Sequence, residues 1–144
     1  MLVVVRIWCK EMKFRLMDLL ACPMCRHFPL ELYVLSKKEY PNRKLPSEPP
    51  LCELYCVYQN KHLKELSTRP PCEECIKWEV EEGAIYCPSC GRWYPIVDSI
   101  PHMLPDYIRE KEKQTELDFL EKNKDKLPEK IVYKGKPHSL SQRV

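Results

Sequence analysis

Glycine is scarce in this chain: three occur in 144 residues. No glycine-rich loop is present that could cradle a phosphate, and no glycine-rich nucleotide-cofactor motif. No run approaches the roughly 20 apolar residues of a membrane span. The apolar stretch Leu2–Val5 is too short for a signal-peptide core, and no small-residue cleavage site comes after it. A cytoplasmic location is therefore expected. A large excess of either charge is also missing: the net charge is +3, too weak to force a nucleic-acid reading. Asparagine and glutamine occur three times each, while charged residues reach 31% and prolines number 14. Few thermolabile amides and stiffened loops are the composition expected of a thermophile. No nucleophile–base constellation stands out. Asp98 with His102 lacks both a nucleophile and a pocket, so catalytic residues are expected to be none.

What is abundant is cysteine, with nine. In most cytosols paired cysteines mean metal or redox chemistry. Cys9 falls in an N-terminal stretch whose pattern differs from the rest of the chain. Residues 1–12 are read as an N-terminal extension, with Met12 as the start of the patterned chain. An N-terminal strand at Leu2–Trp8 is the alternative. Without Cys9, eight cysteines remain in four pairs.

The pattern of the chain is α+β. A helical turn is expected at Asp18–Leu20 and a strand at Pro29–Leu35, with Leu30, Leu32 and Val34 on one face. Residues 37–50 are polar and proline-rich and mark a boundary. A short helix is expected at Lys61–Leu66. Strands come next at Trp78–Val80 and Ala84–Tyr86, with Glu82-Gly83 as a tight turn between them. Residues 105–127 read as a helix between Pro105 and Pro128, its early part solvated. A last strand is expected at Ile131–Tyr133, before a disordered end. The organisation is then a discontinuous zinc-knuckle domain (13–36 plus 80–108), an inserted cysteine-rich, partly helical subdomain (37–79), and a C-terminal helix and tail (109–144).

Cys22-Pro-Met-Cys25 and Cys87-Pro-Ser-Cys90-Gly91 are the strongest signal. Two C-x2-C knuckles can set four thiolates at the corners of a tetrahedron, which zinc accepts at Zn–S distances of roughly 2.3 Å. Proline presets each turn, and Gly91 relieves the backbone where positive φ is expected. All four positions are cysteine, so the site is closed and structural, whereas a catalytic zinc keeps a place for water. Disulfides and reactive thiols are the alternatives. Cys52-x3-Cys56 and Cys72-x2-Cys75 form a second set, open to three readings: a second metal, disulfides or free thiols. A cross-brace joining Cys72 and Cys75 to the first knuckle is a further arrangement.

The strings LMDLLACPMC and EGAIYCPSCGRWYPIVDSIPHMLPD resemble the methyltransferase-activator family, over roughly residues 13–35 and 80–108. The resemblance implies a non-catalytic subunit that forms a heterodimer with S-adenosylmethionine-dependent methyltransferases of archaea and eukaryotes. Those enzymes modify tRNA, rRNA or a translation release factor. It further implies one Zn(2+) on the chain, with S-adenosylmethionine and RNA contacted only through the partner. Family members dock the stretch equivalent to Ile100–Pro105 on the edge of the enzyme's sheet. Carried over, the partner-binding residues are Ile96, Val97, Ile100, Pro101, Met103 and Leu104. Where the family has glycine after Asp98, this chain has Ser99, a strained choice if that backbone needs positive φ.

The residues alone point the same way. WYPIVDSIPHML is too apolar for a loop in water, and Pro95, Pro101 and Pro105 cannot donate ladder hydrogen bonds, so no part of it is expected in a central strand. An apolar, proline-bearing edge strand suits β-addition to a partner. Tyr94 and Ile96 are also read as core. Two rivals fit the knuckles. A rubredoxin-like electron carrier shares the CPxCG signature, and a free-standing zinc ribbon could bind nucleic acid.

Overall fold

The computed structural model describes residues 12–142. Cys9 and the remainder of residues 1–11 lie outside the described part, as do residues 143–144. The architecture is α+β, a four-stranded antiparallel sheet between two apolar layers.

The sheet runs in the order β1 (Glu31–Glu39), β4 (Trp78–Tyr86), β5 (Trp93–Val97), β6 (Ile100–Pro101). A small hairpin, β2 (Tyr55–Cys56) with β3 (Lys61–His62), belongs to the insert. Alternation along β4 and β5 sends side chains to opposite faces. Val80, Ile85, Tyr94 and Ile96 join Met12, Phe14, Met17, Cys22 and Leu30 in one core. Ala84 and Trp93 face the other way, into a core with Leu117, Leu120, Leu127, Ile131 and Val132. Met12, at the edge of the expected extension, is fully buried, and its carbonyl accepts from Val80 N at 2.8 Å.

Several local expectations are corrected. Glu82-Gly83 is not a turn: β4 runs unbroken through it, with Gly83 opposite Val34. Glycine is needed there because a Cβ would strike the Tyr33 carbonyl oxygen of β1, beside irregular pairing between Val34 and Lys37. The insert's expected helix at Lys61–Leu66 is only a 3₁₀ turn, Leu63–Glu65, after β3. Its α-helical turn is instead α1 (Cys72–Cys75). The expected strand at Ile131–Tyr133 is the short helix α4 (Glu129–Val132), started by Pro128.

The helix expected over 105–127 is broken into α2 (Asp106–Arg109), a 3₁₀ turn (Glu110–Glu112) and α3 (Lys113–Asn123). Its early part is not wholly solvated. Arg109 is 1% exposed and pairs bidentately with buried Glu116, both bonds at 2.9 Å. Nor is the segment after Tyr133 disordered through its described length. Lys136 N donates to Gly91 O, Trp93 N donates to Lys136 O, and His138, Ser139 and Leu140 are buried. The tail is thereby tied to the second knuckle.

Candidate metal centre and partner surface

The two knuckles are built alike. Arg26 N donates to Cys22 O and Gly91 N to Cys87 O, at 2.8 and 2.9 Å. Cys22 N donates to His27 O and Cys87 N to Arg92 O, at 3.0 and 2.8 Å. Each turn ends on a left-handed residue: Gly91 at φ 78° and Arg26 at φ 66°. Gly91 meets the sequence expectation. That Arg26 does the same job without glycine had no sequence signal.

The four sulfurs Cys22, Cys25, Cys87 and Cys90 lie within 4.8 Å of one another. Cys22 Sγ is 3.7 Å from Cys90 Sγ, and Cys25 Sγ is 3.4 Å from Cys87 Sγ. A zinc tetrathiolate with bonds of roughly 2.3 Å has sulfur–sulfur edges of roughly 3.8 Å, so the donor set fits that ion. Among the described residues it is the one cluster of His, Cys, Asp or Glu side chains gathered so closely.

The surroundings favour thiolate at Cys22 and oppose it at Cys87. Burial pushes the Cys22 thiol up, but the Tyr94 hydroxyl and the backbone N–H groups of Cys25 and Met24 outweigh it and bring it down to about 6. Burial dominates at Cys87, which is pushed up to about 12 despite backbone N–H bonds from Cys90 and Ser89. Tyr94 lies 3.1 Å from Cys22 Sγ, and burial, then that sulfur, holds the phenol well above its ordinary range. It therefore keeps its proton and donates to the sulfur. Arg92 bonds Asp106 bidentately and interacts with Cys90, placing positive charge beside the cluster.

The insert's cysteines Cys52, Cys56, Cys72 and Cys75 are all free thiols lining one cavity. Burial, then the charges of Asp18, Cys56 and Cys72, push Cys52 up to about 12. Burial and the other three cysteines do the same to Cys75. Cys72 and Cys75 stand with Cys52 and Cys56, apart from the Cys22–Cys90 group.

The stretch after the second knuckle forms the sheet edge. Contrary to the expectation that the prolines keep this stretch out of a central strand, Pro95 is in β5, between β4 and β6 and opposite Ala84. Its carbonyl accepts from His102 N at 2.8 Å, so its nitrogen also faces that side, beyond the two-residue pairing with β6. The proline thus costs the β4 ladder nothing. Asp98 and Ser99 make the two-residue turn into β6, both at positive φ (51° and 61°), the sign pattern of a type I′ turn. Ile96 is fully buried in the chain's own core and offers no surface. Val97 is 37% exposed; Ile100, Pro101, Met103 and Leu104 are half-buried. Among the described residues no strand pairs with the outer side of β6. A groove of about 470 Å³ opens beside it, lined by Val97, Leu104, His102 and, from α3, Phe119.

No helix among the described residues is long and apolar enough to cross a membrane. A family model described as Trm112p-like protein matches residues 13–99. A comparison with curated proteins finds no match.

Proposed function

Because the chain belongs to the Trm112p-like family, we propose that it is a non-catalytic zinc-binding activator subunit of S-adenosylmethionine-dependent methyltransferases. It acts as a heterodimer in the cytoplasm, its partners modifying tRNA, rRNA or a translation factor. One zinc ion, held by Cys22, Cys25, Cys87 and Cys90, fixes both knuckles and so the start of β5. Zinc supplies no reaction here; it sets the frame.

The single observation that carries the reading is the open apolar edge at Val97–Leu104, bonded through β5 to the four-sulfur cluster. An unpaired edge beside an apolar groove suits a partner's sheet, which gains a strand and covers its apolar side chains. A subunit that binds only the folded enzyme raises the enzyme's stability by linkage. Val97, Ile100, Pro101, Met103 and Leu104 are the contact residues. Ile96 contributes from beneath, by fixing the strand.

The test is capture of methyltransferase by the full chain and by the double variant Met103→Glu, Leu104→Glu, with zinc measured in both. Loss of the enzyme with zinc retained supports the reading. An intact complex in the variant contradicts it.

A further inference from the structure

The insert between the knuckles has little to hold it together. Between β1 and β4 it contains two strands of two residues, a 3₁₀ turn of three and one helical turn of four. Its buried apolar residues among 37–76 are Cys56, Val57, Pro70, Cys72 and Ile76. Small lobes with so little core depend on a staple.

Four thiols of the lobe line one cavity, their sulfurs spaced more widely than the 4.8 Å of the first cluster. Cys52 comes from the loop before β2, Cys56 from β2 itself, and Cys72 and Cys75 from α1. All four line a cavity of about 20 Å³. That is room for about one atom the size of a water, whose occupancy needs roughly 10–15 Å³. Water would need two to four polar partners, and thiols are weak ones. A thiophilic cation is the better occupant.

The loop carrying the first pair is held in place independently. The Asp18 carboxylate accepts Glu53 N at 2.8 Å on one oxygen, and Leu54 N and Tyr55 N at 2.9 and 2.7 Å on the other. Three successive amides thus wrap a carboxylate four residues before Cys22. Phe14 meets Tyr58 edge-on at 5.4 Å and closes the other side. Lys13 and Arg15 also border the cavity. A zinc tetrathiolate carries net charge −2, and the first cluster has Arg92 in the corresponding position. A pair of disulfides would need no cation beside it and would leave the cavity without an occupant.

We propose that Cys52, Cys56, Cys72 and Cys75 form a second structural zinc site, which pins the insert to the knuckle domain. Four thiols release four protons to solvent as one Zn(2+) binds, and the sulfurs close in on the ion. The site uses nothing from the methyltransferase reading and stands or falls without it.

The experiment is elemental analysis of the full chain, purified under reducing, chelator-free conditions, with cobalt(II) titration of the metal-free chain as a second measure. Two zinc ions per chain are expected, and two equivalents of cobalt giving tetrathiolate spectra. The variant Cys52→Ser, Cys75→Ser is expected to keep one. Should that variant fail to fold, the cobalt titration of the unaltered chain decides alone. One equivalent in the unaltered chain overturns the proposal. So does a native mass short of hydrogens on the insert's cysteines, which would reveal disulfides.

Discussion

The Tyr94 hydroxyl lies 3.1 Å from Cys22 Sγ, joining the strand that leads to the sheet edge directly to the four-sulfur cluster. Tyr94 is fully buried, so water cannot replace that bond. Partners of this kind around metal ligands typically matter 10- to 100-fold in affinity. Tyr94→Phe is therefore expected to keep the fold and to release zinc to a chelator about 10-fold faster. An unchanged release rate would show that the hydroxyl only fills space.

Ser99 sits at φ 61° in the turn between β5 and β6. A left-handed backbone costs a residue with a Cβ roughly 1–2 kcal/mol relative to glycine. Ser99→Gly is expected to stabilise the chain by about 1 kcal/mol, read as a shift of the urea midpoint at unchanged slope. A destabilised variant would mean that the serine side chain makes a compensating contact.

Arg109 is enclosed by Glu116 and by the faces of Trp93 and Tyr94, its guanidinium carbon 5.3 and 4.9 Å from their ring centres. Glu116 also meets His138 Nδ1 at 2.8 Å. Among the described residues, Nη1 of Arg109 is buried without a hydrogen-bond partner. Removing the carboxylate would leave a buried charge uncompensated. Glu116→Ala is expected to cost about 3–5 kcal/mol and to loosen the segment from Lys136 to Leu140, measured by denaturation and amide exchange.

Glu31 gives a pH dependence. Burial pushes its carboxyl up, but hydrogen bonds from Lys130 at 2.7 Å and Tyr33 at 2.6 Å outweigh it, and the net shift is downward. A carboxylate whose folded pKa is depressed contributes stability above its unfolded pKa. That contribution is lost as pH falls through the folded pKa. The stability difference between the unaltered chain and Glu31→Gln is expected to be constant at neutral pH and to shrink below about pH 4. Taking the difference cancels the proton competition for zinc common to both proteins. A gap that widens on acidification would reverse the assigned sign.

The knuckles were legible because their chemistry requires cysteine at fixed spacing, with proline presetting each turn and glycine closing the second. The buried role of Tyr94 and Ile96 was legible too, in an apolar stretch too rich to stand in water. Gly83 was not: a glycine after glutamate resembles a turn, and only the approach of Tyr33 O on another strand makes it part of β4. Ile131–Tyr133 has the residue types of a strand, yet Pro128 and packing beneath Trp93 make Glu129–Val132 helical. The Arg109–Glu116 pair escaped because two charges seven residues apart look solvated until Trp93, Tyr94 and His138 close around them.

The most direct test of the activator role is methyl transfer by an enzyme that copurifies with this chain from its native cells, assayed with the chain bound and after its removal. An equimolar methyltransferase is expected, losing most of its rate, or its solubility, when the chain is removed. An enzyme equally active alone, or a chain recovered without any methyltransferase, would contradict that role.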